Sequence, residues 1–141
     1  MVGAASAIKL VRSIFMKGVA SLMIEMLQAA DAYGVTDEVI ASVGKSMDKV
    51  AFASHLDWLV TGTAVHCSRR AAELKGSAAM QEEAGLSGEM TLAAKRCHEA
   101  LEKYDFAARY VDSEPEGWKE IIQYIRVCRG SEDVGIRSCG D

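Results

Sequence analysis

Lys9, with Ser6, Arg12 and Ser13 around it, is the group in this chain whose residue types and spacing could do chemistry. At 100° per residue a helix places Ser6, Lys9, Arg12, Ser13 and Met16 on one face, and Val11, Ile14, Phe15, Leu22 and Met26 on the other. A lysine with hydroxyls and a guanidinium within a turn can anchor an anion or transfer a proton. Proton transfer needs an ammonium made more acidic by burial or by a neighbouring cation, and Arg12 is such a cation one turn away. The plainer alternative is a solvated lysine near a helix end. Lys17 lies about 80° around the helix from Lys9 and reads as a solvated or interface lysine.

The pairs His66-Cys67 and Cys97-His98 suggest zinc, which favours Cys₂His₂ sets. Adjacent residues on a helix point about 100° apart, so one helix cannot readily aim both at one ion. No Cys-x-x-Cys or His-x-x-x-His spacing is present. The expectation is no metal, with buried cysteines and surface histidines. The four cysteines (Cys67, Cys97, Cys128, Cys139) have no close-spaced framework and read as reduced thiols, with Cys139 exposed in a Gly/Ser-rich tail.

Helices must position these groups. Alanine, leucine and methionine are plentiful, there is one proline, and no run alternates as a strand would. A long first helix is expected from Ala4 to Tyr33, ended by Gly34. At 1.5 Å per residue it is roughly 45 Å long, and its mostly apolar circumference predicts burial on several sides. Thr36 reads as the cap of a second helix, and Asp48–Val60 as a third with Val50, Phe52, Leu56 and Leu59 in the core. Thr61-Gly62-Thr63 reads as a turn. A fourth helix follows over Ala64–Ala84, stopped by Gly85, and a fifth starts after Ser87 and continues to about Val111. Ser113-Glu-Pro115-Glu116 resembles a capping box opening a sixth helix to Arg129, with Trp118, Ile121, Ile122 and Ile125 inward. The expected architecture is all-α: one domain over 1–129, about six helices around the long first one, and a flexible tail over 130–141.

Bulk properties narrow the function. A chain of 141 residues, half of them hydrophobic, can bury one core. The net charge of −4 and the lack of a basic stripe argue against nucleic acid. The most apolar stretch, Val19–Ala30, is interrupted by Glu25, so no membrane span is expected. Lys9, Arg12 and Lys17 break any signal-peptide core, and the expected location is cytoplasmic. No two glycines are separated by a single residue, so the Gly-x-Gly-x-x-Gly loop of a dinucleotide fold is missing.

Two blocks carry a family resemblance. Gly3-Ala-Ala-Ser-Ala-Ile-Lys9, followed by Lys17-Gly18, resembles the opening of the C-terminal domain of the 6-phosphogluconate-dehydrogenase-like, β-hydroxyacid dehydrogenase superfamily of NAD(P)-dependent oxidoreductases. His66-Cys-Ser-Arg69-Arg70-Ala-Ala-Glu73-Leu74, then Ala84-Gly85-Leu86 and Met90, is similar to the His-x-x-Arg-Arg-x-x-Glu-Met pattern of one branch. The match covers roughly residues 2–105.

The resemblance implies that Lys9 is the acid/base group at a substrate hydroxyl, that Ser6, Arg12 and Ser13 touch a small-molecule acid substrate, and that Gly3 borders the cleft. It also implies NAD or NADP bound by a preceding nucleotide-binding domain, with none expected on this chain alone, and a homodimer through the long first helix. Ser13 stands where many relatives carry asparagine. Met16 stands where 6-phosphogluconate dehydrogenases proper carry a glutamate acid, and methionine cannot donate a proton. That departure points away from decarboxylation and towards simple oxidation or reduction of a β-hydroxyacid-like compound. A second reading is a free-standing helical dimer that kept the fold and lost the chemistry.

Overall fold

The computed structural model describes residues 3–133. Among them are seven α-helices and no strand: α1 Ala4–Ala32, α2 Thr36–Met47, α3 Phe52–Val65, α4 Cys67–Glu83, α5 Glu89–Leu101, α6 Phe106–Arg109 and α7 Trp118–Asp133. A single 3₁₀ turn, Glu102–Tyr104, joins α5 to α6. The all-α class is as expected, with a long first helix.

Two helix ends follow directly from glycine. At the end of α1, Gly34 adopts φ 68°, its N–H donates to the Asp31 carbonyl (3.0 Å) and the Val35 N–H donates to the Ala30 carbonyl (2.9 Å). At the end of α4, Gly85 at φ 74° does the same through Glu82, while Leu86 N–H reaches Gln81. This paired pattern satisfies the last carbonyls and needs a left-handed residue that glycine adopts without strain.

Other boundaries differ from the expectation. Thr36 is the first residue of α2 rather than its cap; the chain leaves the Gly34 turn so tightly that Val35 takes the cap position. Thr61-Gly62-Thr63 lies inside α3, where Thr61 returns its hydroxyl to the Asp57 carbonyl (2.8 Å). The break between α3 and α4 falls at His66. The expected fifth helix ends at Leu101, and Asp105 at φ 48° redirects the chain into α6. The last helix starts at Trp118 and runs through Gly130 to Asp133. The rest of the expected tail, 134–141, including Cys139, lies outside the described residues.

The core forms away from α1. Ala64 from α3, Tyr104, Phe106 and Tyr110 from the 3₁₀ turn and α6, and Ile121 and Cys128 from α7 are buried together, with Val60, Val65, Leu101, Tyr124 and Ile125 against them. Ile121 and Ile125 face inward as expected, but Ile122 does not, and Val50, Phe52 and Leu59 are exposed. The inward groups of α3 are instead His55 and Ala64, and the His55 Nε2–H donates to the Met47 carbonyl (2.8 Å) at the end of α2. Cys67 and Cys97 are free thiols. Cys128 is buried in the core.

Two helices whose cap position is glycine take their cap from another helix. Gly88 precedes α5 and has no side chain to offer. Glu25, from α1, accepts the Met90 N–H (2.7 Å), the Thr91 N–H (2.8 Å) and the Thr91 hydroxyl (2.6 Å). These are the second and third N–H groups of the helix, the ones an N-cap side chain normally satisfies. Gln81 of α4 donates to the same Thr91 hydroxyl oxygen (2.7 Å), so α1, α4 and α5 meet at one polar knot. Burial raises the Glu25 carboxyl, but the Thr91 hydroxyl and the two backbone N–H groups outweigh it and hold the group below its ordinary 4.5. Likewise Asp57 of α3 accepts the Trp118 N–H (2.7 Å) at the start of α7, beside Gly117.

Glu25→Ala is expected to destabilise the domain by about 1–3 kcal/mol, the scale of a lost cap and unsatisfied donors. Because the folded carboxyl is depressed, the stability it supplies is complete above its ordinary value and is lost as pH falls through its folded value. The difference in melting temperature between wild type and Glu25→Gln should therefore be largest near pH 7 and shrink below about pH 4; a gap that widens in acid contradicts the assignment. At α7, a Cβ on Gly117 would stand 2.9 Å from Asp57 Oδ1. Gly117→Ala is expected to cost about 1 kcal/mol by displacing that carboxylate from Trp118, and to cost much less in an Asp57→Ala background. Equal costs in the two backgrounds, read from denaturant titrations, would show that the carboxylate is not what the methyl displaces.

Candidate functional site

The stripe that includes Lys9 lies on the first half of α1. That helix is anchored at its other half: Glu25 caps α5, Ala30 is buried, and the Tyr33 hydroxyl donates to the Met80 carbonyl (2.7 Å). Between Ala4 and Ile24 no residue is buried, and only Ala7, Ser13, Gly18 and Val19 are half-covered. The expectation that α1 is buried on several sides does not hold within one chain. The seven helices spend their apolar area on the core behind α3 and α7, and little reaches the front of α1 apart from Phe52, which meets Phe15 edge-on (centroids 5.3 Å apart).

Helical geometry therefore aligns Ser6, Lys9, Arg12 and Ser13 as the sequence indicates, in three successive turns. Ser6, Lys9 and Arg12 are exposed and Ser13 is half-buried. Among the described residues none of the four makes a side-chain hydrogen bond or ion pair. The stripe is flanked by a large apolar surface: Ile8 is 70 % exposed, Val11 64 % and Ile14 75 %. Free ammonium, guanidinium and hydroxyl groups at the edge of an uncovered apolar surface can bind an anion. A second surface that excludes water is what would tune such groups for proton transfer to a substrate.

The second sequence block diverges in space. His66 occupies the junction of α3 and α4. Arg69 points outward to Glu73 (2.6 Å), an exposed pair one helical turn apart that contributes at most about 1 kcal/mol. Arg70 turns back over α3: its Nη1 donates to the Thr63 hydroxyl (2.7 Å), and its Nη2 lies 2.9 Å from where a Cβ on Gly62 would stand. A cavity of about 370 Å³ opens here, lined among others by Trp58, His66, Arg70, Tyr110 and Pro115. Met90 acts through its backbone, as a donor to Glu25.

Sequence reasoning missed a further polar cluster behind this cavity. The Arg109 guanidinium lies over the rings of Tyr124 (4.4 Å) and Tyr110 (5.7 Å). The Tyr110 hydroxyl is sealed from solvent; it lies near Glu120 and Arg109 without completing a hydrogen bond of normal geometry. Burial and then the Glu120 carboxylate push that hydroxyl up, while the Glu116 N–H (2.8 Å) and then Tyr110 hold Glu120 down. The only sequence signal was aromatic residues at helical spacing, which usually means core. For Glu25 the signal was sharper: one acid inside an otherwise apolar run.

Among the described residues no three His, Cys, Asp or Glu side chains converge on a point that could hold a metal ion. His98 is turned to its own helix, with Nδ1 on the Ala94 carbonyl (2.7 Å), and Cys97 is exposed. No helix among the described residues is long and apolar enough to cross a membrane.

No curated protein and no solved structure matches the chain significantly. A family model described as "Domain of unknown function (DUF1932)" matches residues 30–101. That stretch runs from the buried end of α1 through the whole α4–α5 hairpin, and it spans 72 of the 141 residues. It contains the second sequence block and both partners that bring Gln81 and Thr91 to Glu25. The chain belongs to the DUF1932 family.

Proposed function

We propose that this chain is the substrate-side and dimerisation domain of an NAD(P)-dependent oxidoreductase acting on a β-hydroxyacid-like substrate, with Lys9 as the proton-transfer residue. The observation that carries the reading is the front of α1: Ser6, Lys9, Arg12 and Ser13 form one solvent-facing stripe beside uncovered isoleucine, valine and phenylalanine. A lone polar stripe would be an ordinary solvated face. A polar stripe bordered by that much apolar surface fits a cleft whose other wall is supplied from outside the described residues. Lys9 would carry the proton of the substrate hydroxyl, and Arg12 and Ser13 would hold the carboxylate. The nucleotide would be bound by a separate domain, since a helical bundle offers no strand-to-helix phosphate loop. A second copy would pack along the apolar side of α1, because two-fold association is the commonest way to cover such a face.

The test uses a polypeptide in which a nucleotide-binding domain accompanies this one. Lys9→Ala is expected to lower kcat by about two to four orders of magnitude, the scale of acid–base groups, with an unchanged melting temperature, since Lys9 is exposed. Near-normal turnover of that variant sinks the assignment and leaves the non-catalytic helical dimer as the better reading.

A further inference from the structure

The cavity between α3, α4 and the segment leading into α7 is not used by this reading, and no residue of α1 lines it. Arg70, half-buried, lines it. A guanidinium has five N–H donors, and among the described residues this one is engaged through Nη1, at Thr63. Among the described residues the ion pairs are Arg69–Glu73 and Lys95–Glu99, so Arg70 has no carboxylate partner there. The one acid on the cavity wall, Glu114, is exposed and makes no ion pair with it. A partly desolvated guanidinium without a counter-charge is costly unless something anionic completes it.

One hydrogen bond, to the Thr63 hydroxyl, holds the guanidinium against α3. Gly62 lets it lie against α3, where any side chain would meet Nη2 at 2.9 Å. Around it stand flat or apolar groups: Trp58, Val65, the Tyr110 ring and Pro115. His66 adds a ring nitrogen at the rim. The volume, about 370 Å³, suits a small molecule. We infer that this cavity binds a small carboxylate with a planar or apolar body, the carboxylate on Arg70 and the body against Trp58 and Pro115. It is a second anion site, separate from the Lys9 stripe and independent of the oxidoreductase reading.

Benzoate is a suitable probe, with neutral benzamide as its isostere, titrated into the full 141-residue chain at fixed salt and followed by ¹H–¹⁵N NMR. Benzoate is expected to shift the Gly62 and His66 amides and the Arg70 Nε–H saturably, with Kd on the order of 1 mM for so small a ligand, and benzamide to leave them unmoved. Arg70→Met should weaken benzoate by about tenfold or more. Gly62→Ala keeps the charge and suits a helix interior, yet pushes the guanidinium away, so it should also weaken binding without lowering the melting temperature. If Arg70→Met fails to fold, Gly62→Ala decides alone. No saturable shift at these three groups overturns the proposal. So does benzamide binding as tightly as benzoate, or Gly62→Ala titrating like wild type.

Discussion

The Glu25 carboxylate is the point on which the rest of the structure depends. It is an acid placed in the middle of an apolar helix, and it is stable there because three donors from α5 converge on it. Gly88, the residue that would ordinarily cap α5, has no side chain, so the helix start is complete only when α1 is docked. Gln81 adds α4 to the same knot through Thr91. A buried polar cluster of this kind specifies register: sliding α1 by one residue would leave a carboxylate and two N–H groups unsatisfied. It fixes where α1 is held and therefore which part of it is not.

The consequence is a helix with two characters. From Glu25 onward α1 belongs to the domain, through the α5 cap, buried Ala30 and the Tyr33 hydroxyl on Met80. Before Glu25 it projects, about 30 Å of helix by its rise per residue, with apolar side chains on most of its circumference and a polar stripe at Ser6, Lys9, Arg12 and Ser13. An apolar surface that large is unusual for a monomeric soluble protein. The proposed cleft and the proposed dimer are two uses of one geometric fact, that the anchored half positions the free half.

Much of this was legible in the sequence where local chemistry decides structure. Gly34 and Gly85 end their helices as read, because a left-handed residue after a helix leaves few alternatives to glycine. The face shared by Ser6, Lys9, Arg12 and Ser13 follows from helical period alone. What failed depends on distant partners. The break at His66 and the redirection at Asp105 have no glycine or proline to mark them. Gly62 looked like a turn, yet stays helical and makes room for Arg70. Period assigned Val50, Phe52 and Leu59 to an apolar side of the third helix, but Val50 falls before α3, and period could not say that Phe52 and Leu59 would remain uncovered. The cross-helix caps at Glu25 and Asp57 showed only as lone acids among apolar neighbours.

Amide hydrogen exchange across α1, measured at several dilutions of the chain, tests most directly whether the front of that helix is half of an interface. The account predicts a step at Glu25: strong protection from Met26 to Ala32 at every concentration, and protection of 4–24 that rises as the protein is concentrated. Equal protection along the whole helix in dilute, monomeric protein would contradict it, because α1 would then need nothing beyond its own chain.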